Sequence, residues 1–336
     1  MWSIEYSRCS HLARWMVALA ILVVLPEAAR AQWHATVGAQ SPHKGRQALA
    51  FLPNELWIHE ADSITWKFEA GEIHTVTFLA TEPVSQVRPP FPVGCPGFSA
   101  DPGTFDGSTC VTTPPLVAGA TFTVRFPSPG NYKLVCLVHA DMTGVVHVLE
   151  LSKPLPHTQD FYDEEAEAQM RALLSDADRE GKKEGHSAHR HSGDPQVIVG
   201  GGEISTNAGG ASTLSLMRFA EHTLVIHAGQ TVEWGSDDPE DPHTITFGTE
   251  PAGDPFPPSS NVTVDADGAR HAVINSTSDS VHSGFILAAP QERAGLAQSP
   301  LSVTRFRVTF THPGTYPYIC ALHDDLGMKG EIIVLP

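Results

Sequence analysis

The chain has 336 residues, with 38 acidic and 21 basic side chains and a formal net charge of −17. So acidic a surface argues against nucleic acid and anionic membrane surfaces as partners, and it favours either a cationic partner or a role of the charge in solubility alone. The length is sufficient for two globular domains.

The segment 1–31 has the pattern of a signal peptide. Arg8 and Arg14 precede the eleven-residue apolar run 15–25, and an Ala-x-Ala cleavage site ends at Ala31. An apolar run of this length is too short to cross a bilayer, which needs about 20 residues. We therefore expect cleavage near Ala31, export to the periplasm or beyond, and a mature chain without a transmembrane segment. An uncleaved membrane anchor is the alternative.

The mature chain repeats one pattern in its two halves. The segment 56–66, Leu-Trp-Ile-His-Glu-Ala-Asp-Ser-Ile-Thr-Trp, corresponds to 224–234, Leu-Val-Ile-His-Ala-Gly-Gln-Thr-Val-Glu-Trp. Each segment predicts two half-buried strands joined by a turn, because apolar and polar residues alternate. Several short strands separated by turns, without strong helical periodicity, predict a β-sandwich in each half.

Two cysteines in the first half, Cys95 and Cys110, frame a loop rich in Gly, Pro and Ser. In the oxidising compartment that export implies, they are expected to pair as a disulfide. A metal site in this loop is the alternative, but the loop contains no histidine. The sequence therefore predicts the disulfide.

Each half also contains one histidine on a strand-like run and, further along, a short loop with a cysteine, a histidine and a methionine. The N-terminal set is His74, Cys136, His139 and Met142. The C-terminal set is His243, Cys320, His323 and Met328. Two imidazoles, one thiolate and a weak axial thioether are the ligands of a blue (type 1) copper site. Because complete sets occur twice in the same order, we interpret them as two copper sites rather than as core residues.

The segment 151–195 between the halves has a different composition. From Gln159 to Glu184 it is rich in Glu, Ala, Leu, Arg and Lys, which predicts a helix. A histidine cluster follows, formed by His186, His189 and His191. The cluster would hold a labile metal ion, or it would be part of a flexible solvated linker.

These motifs resemble those of the cupredoxins, the plastocyanin and amicyanin type of blue-copper domain. The C-terminal loop has the plastocyanin spacing Cys-x2-His-x4-Met, and the N-terminal loop has the amicyanin spacing Cys-x2-His-x2-Met. The likeness covers roughly 35–150 and 196–336. Thr75 and Thr244 stand where many family members have an asparagine that ties the ligand loops together.

The resemblance implies an all-β chain of two Greek-key β-sandwiches joined by a partly helical linker. The expected domains are 32–150 and 196–336, each with one type 1 copper ion. It also implies that electrons pass through the edge of His139 or His323. The predicted function is an exported electron carrier between redox proteins, with a cationic partner such as a c-type cytochrome.

Two other functions stay open. A two-domain copper enzyme, such as a nitrite reductase or a laccase, would need further histidines next to the ligand cysteine or in His-x-His pairs. Val135 and Ile319 precede the two cysteines, and the only His-x-His lies at 189–191. Catalytic residues are therefore not predicted. A periplasmic protein that sequesters or delivers copper would have Met- or His-rich tracts, whereas this chain has six methionines.

Overall fold

The structure is a computed structural model that describes residues 30–80, 95, 97–187, 195–253, 257–288 and 303–336, with backbone alone over 176–187. Residues 31–336 form one compact unit. None of the helices in the described ranges has the length and apolar content needed to traverse a bilayer. Nearly all of the predicted signal peptide, and the side chains of His186, His189 and His191, lie outside the described residues.

The N-terminal half is a β-sandwich built on alternating apolar residues. Its strands are β1 (Gln32–Gln40), β2 (Arg46–Leu52), β3 (Glu55–His59), β4 (Ser63–Phe68), β5 (Thr77–Phe78), β6 (Gly103–Thr104), β7 (Val111–Thr112), β8 (Thr121–Arg125), β9 (Gly130–Val135) and β10 (Thr143–Leu149). One sheet has the order β3-β10-β9-β5-β7, and the other contains β2-β1-β4-β8-β6. Trp66, Phe78 and Phe126 are buried between the sheets because every second residue of each strand faces inward.

The C-terminal half repeats this sandwich. Its strands are β11 (Gln196–Val199), β12 (Gly202–Thr206), β13 (Ala211–Leu216), β14 (Thr223–His227), β15 (Thr231–Ser236), β16 (Thr246–Phe247), β17 (Thr263–Val264), β18 (Arg270–Ile274), β19 (Val281–His282), β20 (Arg305–Phe310), β21 (Gly314–Ile319) and β22 (Lys329–Leu335). The sheets have the orders β11-β15-β20-β18-β17 and β14-β22-β21-β16-β19. The parallel pair β3–β10 of the first half corresponds to the parallel pair β14–β22. The predicted all-β architecture is confirmed.

The hairpin β12–β13 joins the sandwich of the other half. Strand β13 pairs antiparallel with β2, with Thr213 opposite Leu49 and Leu214 opposite Ala48. A seven-stranded sheet results, in the order β12-β13-β2-β1-β4-β8-β6. The sequence pattern did not predict this pairing between the two halves, since the hairpin lies within the range predicted for the C-terminal domain.

The predicted linker helix is present as α1 (Gln159–Ser187). It packs on the same sheet, where Leu173 contacts a patch formed by Ala39, Ala48 and Leu52. Near its start, the buried Tyr162 hydroxyl accepts a hydrogen bond from the Trp57 amide (2.8 Å) and donates one to the Trp57 carbonyl (3.1 Å). The helix thus fastens the segment between the halves to the first sandwich.

Candidate metal centres

The structure brings His74, Cys136 and His139 together in one buried group, which we call centre 1. The nitrogen and sulfur atoms of these side chains lie within 4.8 Å of one another. The two Nδ1 atoms are 3.1 Å apart, and Nδ1 of His139 is 3.6 Å from the cysteine Sγ. Met142 is fully buried in the same apolar cluster as Cys136. Both imidazoles therefore direct Nδ1 toward the sulfur.

Centre 2 repeats this arrangement with His243, Cys320 and His323, whose ligand atoms also lie within 4.8 Å of one another. The two Nδ1 atoms are again 3.1 Å apart, and they lie 3.9 and 3.5 Å from the cysteine Sγ. Met328 is fully buried in the apolar cluster that contains Cys320. Two imidazole nitrogens and a sulfur converging in a dry site fit copper better than a hard cation, which prefers oxygen ligands.

The loop of centre 1 begins where strand β9 ends and closes just before β10. The Cys136 amide donates to the Met142 carbonyl (3.0 Å), and the Met142 amide donates to the His139 carbonyl (3.3 Å). In centre 2 the Cys320 amide donates to the Met328 carbonyl (3.1 Å). The loop there is two residues longer and contains a 3-10 turn over Asp324–Leu326, which ends at the left-handed Gly327. The same closure thus accommodates both loop lengths.

The threonines at the asparagine position brace the ligand loops. The Thr75 hydroxyl accepts a hydrogen bond from the Leu137 amide (2.8 Å), and the Thr75 amide donates to the Cys136 sulfur (3.4 Å). Thr244 makes the equivalent bonds to the Ala321 amide (2.7 Å) and the Cys320 sulfur (3.4 Å). The threonine hydroxyl thus makes the loop-bridging hydrogen bond that was expected of an asparagine side chain at this position.

Two glycines let the first strand of each sandwich approach the first histidine. Gly38 and Gly200 have φ values of +66° and +68°, and a side chain on either would collide with the ring of His74 or His243. Glycine adopts such φ values at little cost, whereas other residues are strained there. The backbone therefore forms one wall of each centre.

The histidines of each centre lower the pKa of its cysteine. Burial alone would raise the pKa of the Cys136 thiol, but hydrogen bonds and charge from His139 and His74 outweigh it and bring this pKa well below its usual range. For Cys320 the neighbouring histidines outweigh burial in the same way, and the pKa is lowered. Each cysteine is thus prepared to act as a thiolate, the form that binds metal.

The outer nitrogens of the loop histidines face carboxylates of the opposite half. Nε2 of His139 lies 2.9 Å from Oδ1 of Asp241, and Nε2 of His323 lies 3.2 Å from Oε2 of Glu72. His139 and His323 are 1% and 3% exposed. The expectation that one of these edges is exposed to solvent as an electron port is therefore wrong, because a carboxylate of the opposite half covers each of them.

Glu72 and Asp241 were not among the predicted site residues. The sequence does contain a signal for them, because an acidic residue stands two positions before the first histidine in both halves, in Glu-Ile-His-Thr and Asp-Pro-His-Thr. The structure has the predicted disulfide between Cys95 and Cys110.

Comparison with known proteins finds a family model that matches the second half. Residues 204–335 match the family model described as copper binding proteins, plastocyanin/azurin family. Oxidised plastocyanin from Dryopteris crassirhizoma is 21% identical over 42% of this chain and 99% of its own, with a TM-score of 0.21. A reduced Cu(I) form of an amicyanin mutant at pH 4 is 18% identical over 36% and 86%, with a TM-score of 0.24. The similarity of the second half to this family rests on the family model.

Proposed function

We propose, on the premise that residues 204–335 belong to the plastocyanin/azurin family of copper binding proteins, that the chain is an exported electron carrier with two type 1 copper ions. Centre 1 would use His74, Cys136, His139 and Met142, and centre 2 would use His243, Cys320, His323 and Met328. The observation that carries the proposal is the convergence of two Nδ1 atoms and one sulfur in a buried group, found once in each half.

Copper bound in such a site supplies reversible one-electron exchange. The chain contributes rigidity, because Thr75 and Thr244 tie the cysteine loops to the first histidine strands. It also excludes water, since Cys136 and Cys320 are at most 1% exposed. A site that holds its ligands fixed while the metal changes oxidation state suits electron transfer.

Burial of the ligands favours a carrier over the two alternatives. A copper enzyme needs an open coordination position, but the described ligand groups are closed by the protein. A delivery protein exchanges its ion readily, which is harder when every proposed ligand is buried. Export after cleavage near Ala31, and a cationic redox protein as partner, complete the proposal and follow from the leader pattern and the net charge of −17.

Metal analysis with visible and electron paramagnetic resonance spectra of the copper-loaded mature chain tests this function. We expect two copper ions and two blue centres, with Cys136→Ser and Cys320→Ser each leaving one. The Cys95→Ser/Cys110→Ser double variant is the control and should keep both. A single copper that Cys320→Ser leaves unchanged would contradict the proposal. A further non-blue copper signal with nitrite or phenol turnover would instead support an enzyme.

A further inference from the structure

Glu72 and Asp241 each contact a histidine of the opposite half. Glu72 belongs to the first sandwich and pairs with His323 of the second, at 3.2 Å. Asp241 belongs to the second and pairs with His139 of the first, at 2.9 Å. Both histidines already direct Nδ1 toward their own cysteine, so the carboxylates contact the remaining ring nitrogen.

The two carboxylates occupy equivalent places in the repeat. Each stands two residues before the first histidine of its own half, His74 or His243. The residue at the same position in each half therefore contacts the histidine in the cysteine loop of the other half. A reciprocal arrangement of this kind is typical of a two-fold interface between similar units.

The carboxylates are buried and paired with histidines alone in the described part of the chain. Glu72 is 7% exposed and Asp241 is 1% exposed. Glu72 reaches both centres, because its Oε1 lies 3.9 Å from Nε2 of His139 while its Oε2 contacts His323. A buried carboxylate is costly without a hydrogen-bond donor, so each one constrains the ring that it contacts.

A second contact fixes the geometry of this interface. Glu240, next to Asp241, accepts hydrogen bonds from the backbone amides of Ala140 (2.9 Å) and Asp141 in the loop of centre 1. The Asp238 carboxylate in turn accepts the amides of Glu240 (2.9 Å) and Asp241 (2.8 Å). The segment 238–243 is thus held rigid while it contacts the opposite loop.

We propose that Glu72 and Asp241 are positioning residues, each of which orients the copper-ligand histidine of the opposite half, so that the two centres are coupled through their shared interface. The proposal rests on the assigned copper function. A carboxylate that accepts the second N–H of a ligand histidine fixes its ring and increases its basicity, and losing it typically costs 10–100-fold in metal affinity.

Crossed variants test the coupling. In the Cys136→Ser background, which leaves only centre 2, Glu72→Gln should weaken copper binding by about 10–100-fold and raise the reduction potential. In the Cys320→Ser background, Asp241→Asn should do the same to centre 1. Glu69→Gln and Glu250→Gln, exposed acids in each half, are the matched controls and should change neither property.

The direction of the effect decides the outcome. If Glu72→Gln leaves copper binding and potential at centre 2 unchanged, and Asp241→Asn leaves them unchanged at centre 1, the proposal is overturned while the assigned function remains. A readout without copper is also available, because Nε2–H of His139 and His323 should exchange slowly with solvent in nitrogen-15 spectra of the metal-free chain. Asp241→Asn should accelerate exchange at His139 alone. Unchanged exchange would overturn the proposal even in a chain that bound no copper.

Discussion

Oδ2 of Asp238 lies 3.2 Å from Nε2 of His243, whereas Nε2 of His74 in the equivalent position of the first half has no hydrogen-bond partner among the described residues. The two centres therefore differ in how the first histidine is supported. This difference adds to the unequal loop lengths of the two centres.

We expect centre 2 to have the lower reduction potential, because a carboxylate that accepts the second N–H of a ligand histidine makes the imidazole more basic and favours oxidised copper. Asp238→Asn in the Cys136→Ser background should raise the potential in protein-film voltammetry. Glu69 stands five residues before His74, as Asp238 does before His243, but its side chain is exposed. Glu69→Gln in the Cys320→Ser background is therefore the control, and it should leave the reduction potential of centre 1 unchanged.

The metal-free protein should lose stability as the pH rises from about 6.5 toward 9. Burial would lower the pKa of His243, but its hydrogen bonds to Asp238 and Cys320 outweigh this and raise the pKa to about 9. The folded state then keeps a proton that the unfolded chain releases above about 6.5, so this stabilisation is complete at lower pH and disappears through pH 9. The Cys320–His323 pair adds no net pH dependence over this interval. On folding, the proton gained by the imidazole is offset by the proton lost from the thiol.

Urea unfolding between pH 6 and 9.5 measures this dependence. One proton corresponds to a slope of about 1.4 kcal/mol per pH unit. Asp238→Asn should reduce the slope, and Glu69→Gln should not. A stability that increases over this interval would mean that His243 is neutral in the folded, metal-free chain.

Replacing both Cys95 and Cys110 by serine should lower the free energy of unfolding by about 3 kcal/mol, as the chain-entropy argument gives for a loop of this size. The bridge joins positions 15 residues apart and lies outside both ligand groups. Denaturant unfolding measures the loss, and the visible spectrum of the copper-loaded protein should stay the same. A loss of blue colour would show that this loop also shapes centre 1.

Tyr162→Phe should destabilise the chain by about 1–3 kcal/mol, because it leaves the Trp57 amide and carbonyl without the hydroxyl that satisfies them. Tyr132→Phe is a useful comparison. Its hydroxyl donates to the Ser128 carbonyl at a half-exposed turn, where water can replace it. Equal losses from the two variants in thermal unfolding would argue against a special role for the helix contact.

The grouping of two histidines and one cysteine in each half was predictable because these residues stand in short, ordered motifs that occur twice. The strands were predictable for a similar reason, since alternation within 56–66 and 224–234 is a local property. Glu72 and Asp241 were not, because their role depends on how two sandwiches meet. The contact between Thr213 and Leu49 depends on pairing across more than 150 residues, which the period of either strand leaves undetermined.

The pairing of β13 with β2 also affects how the protein is made. Strand β2 emerges early in synthesis, but its outer edge gains a partner only after residue 216 has followed. Until then a row of unpaired backbone groups is open to strands of other chains. A chain that ends after the linker would keep that edge permanently, so the first sandwich reaches its finished form only as part of the longer polypeptide.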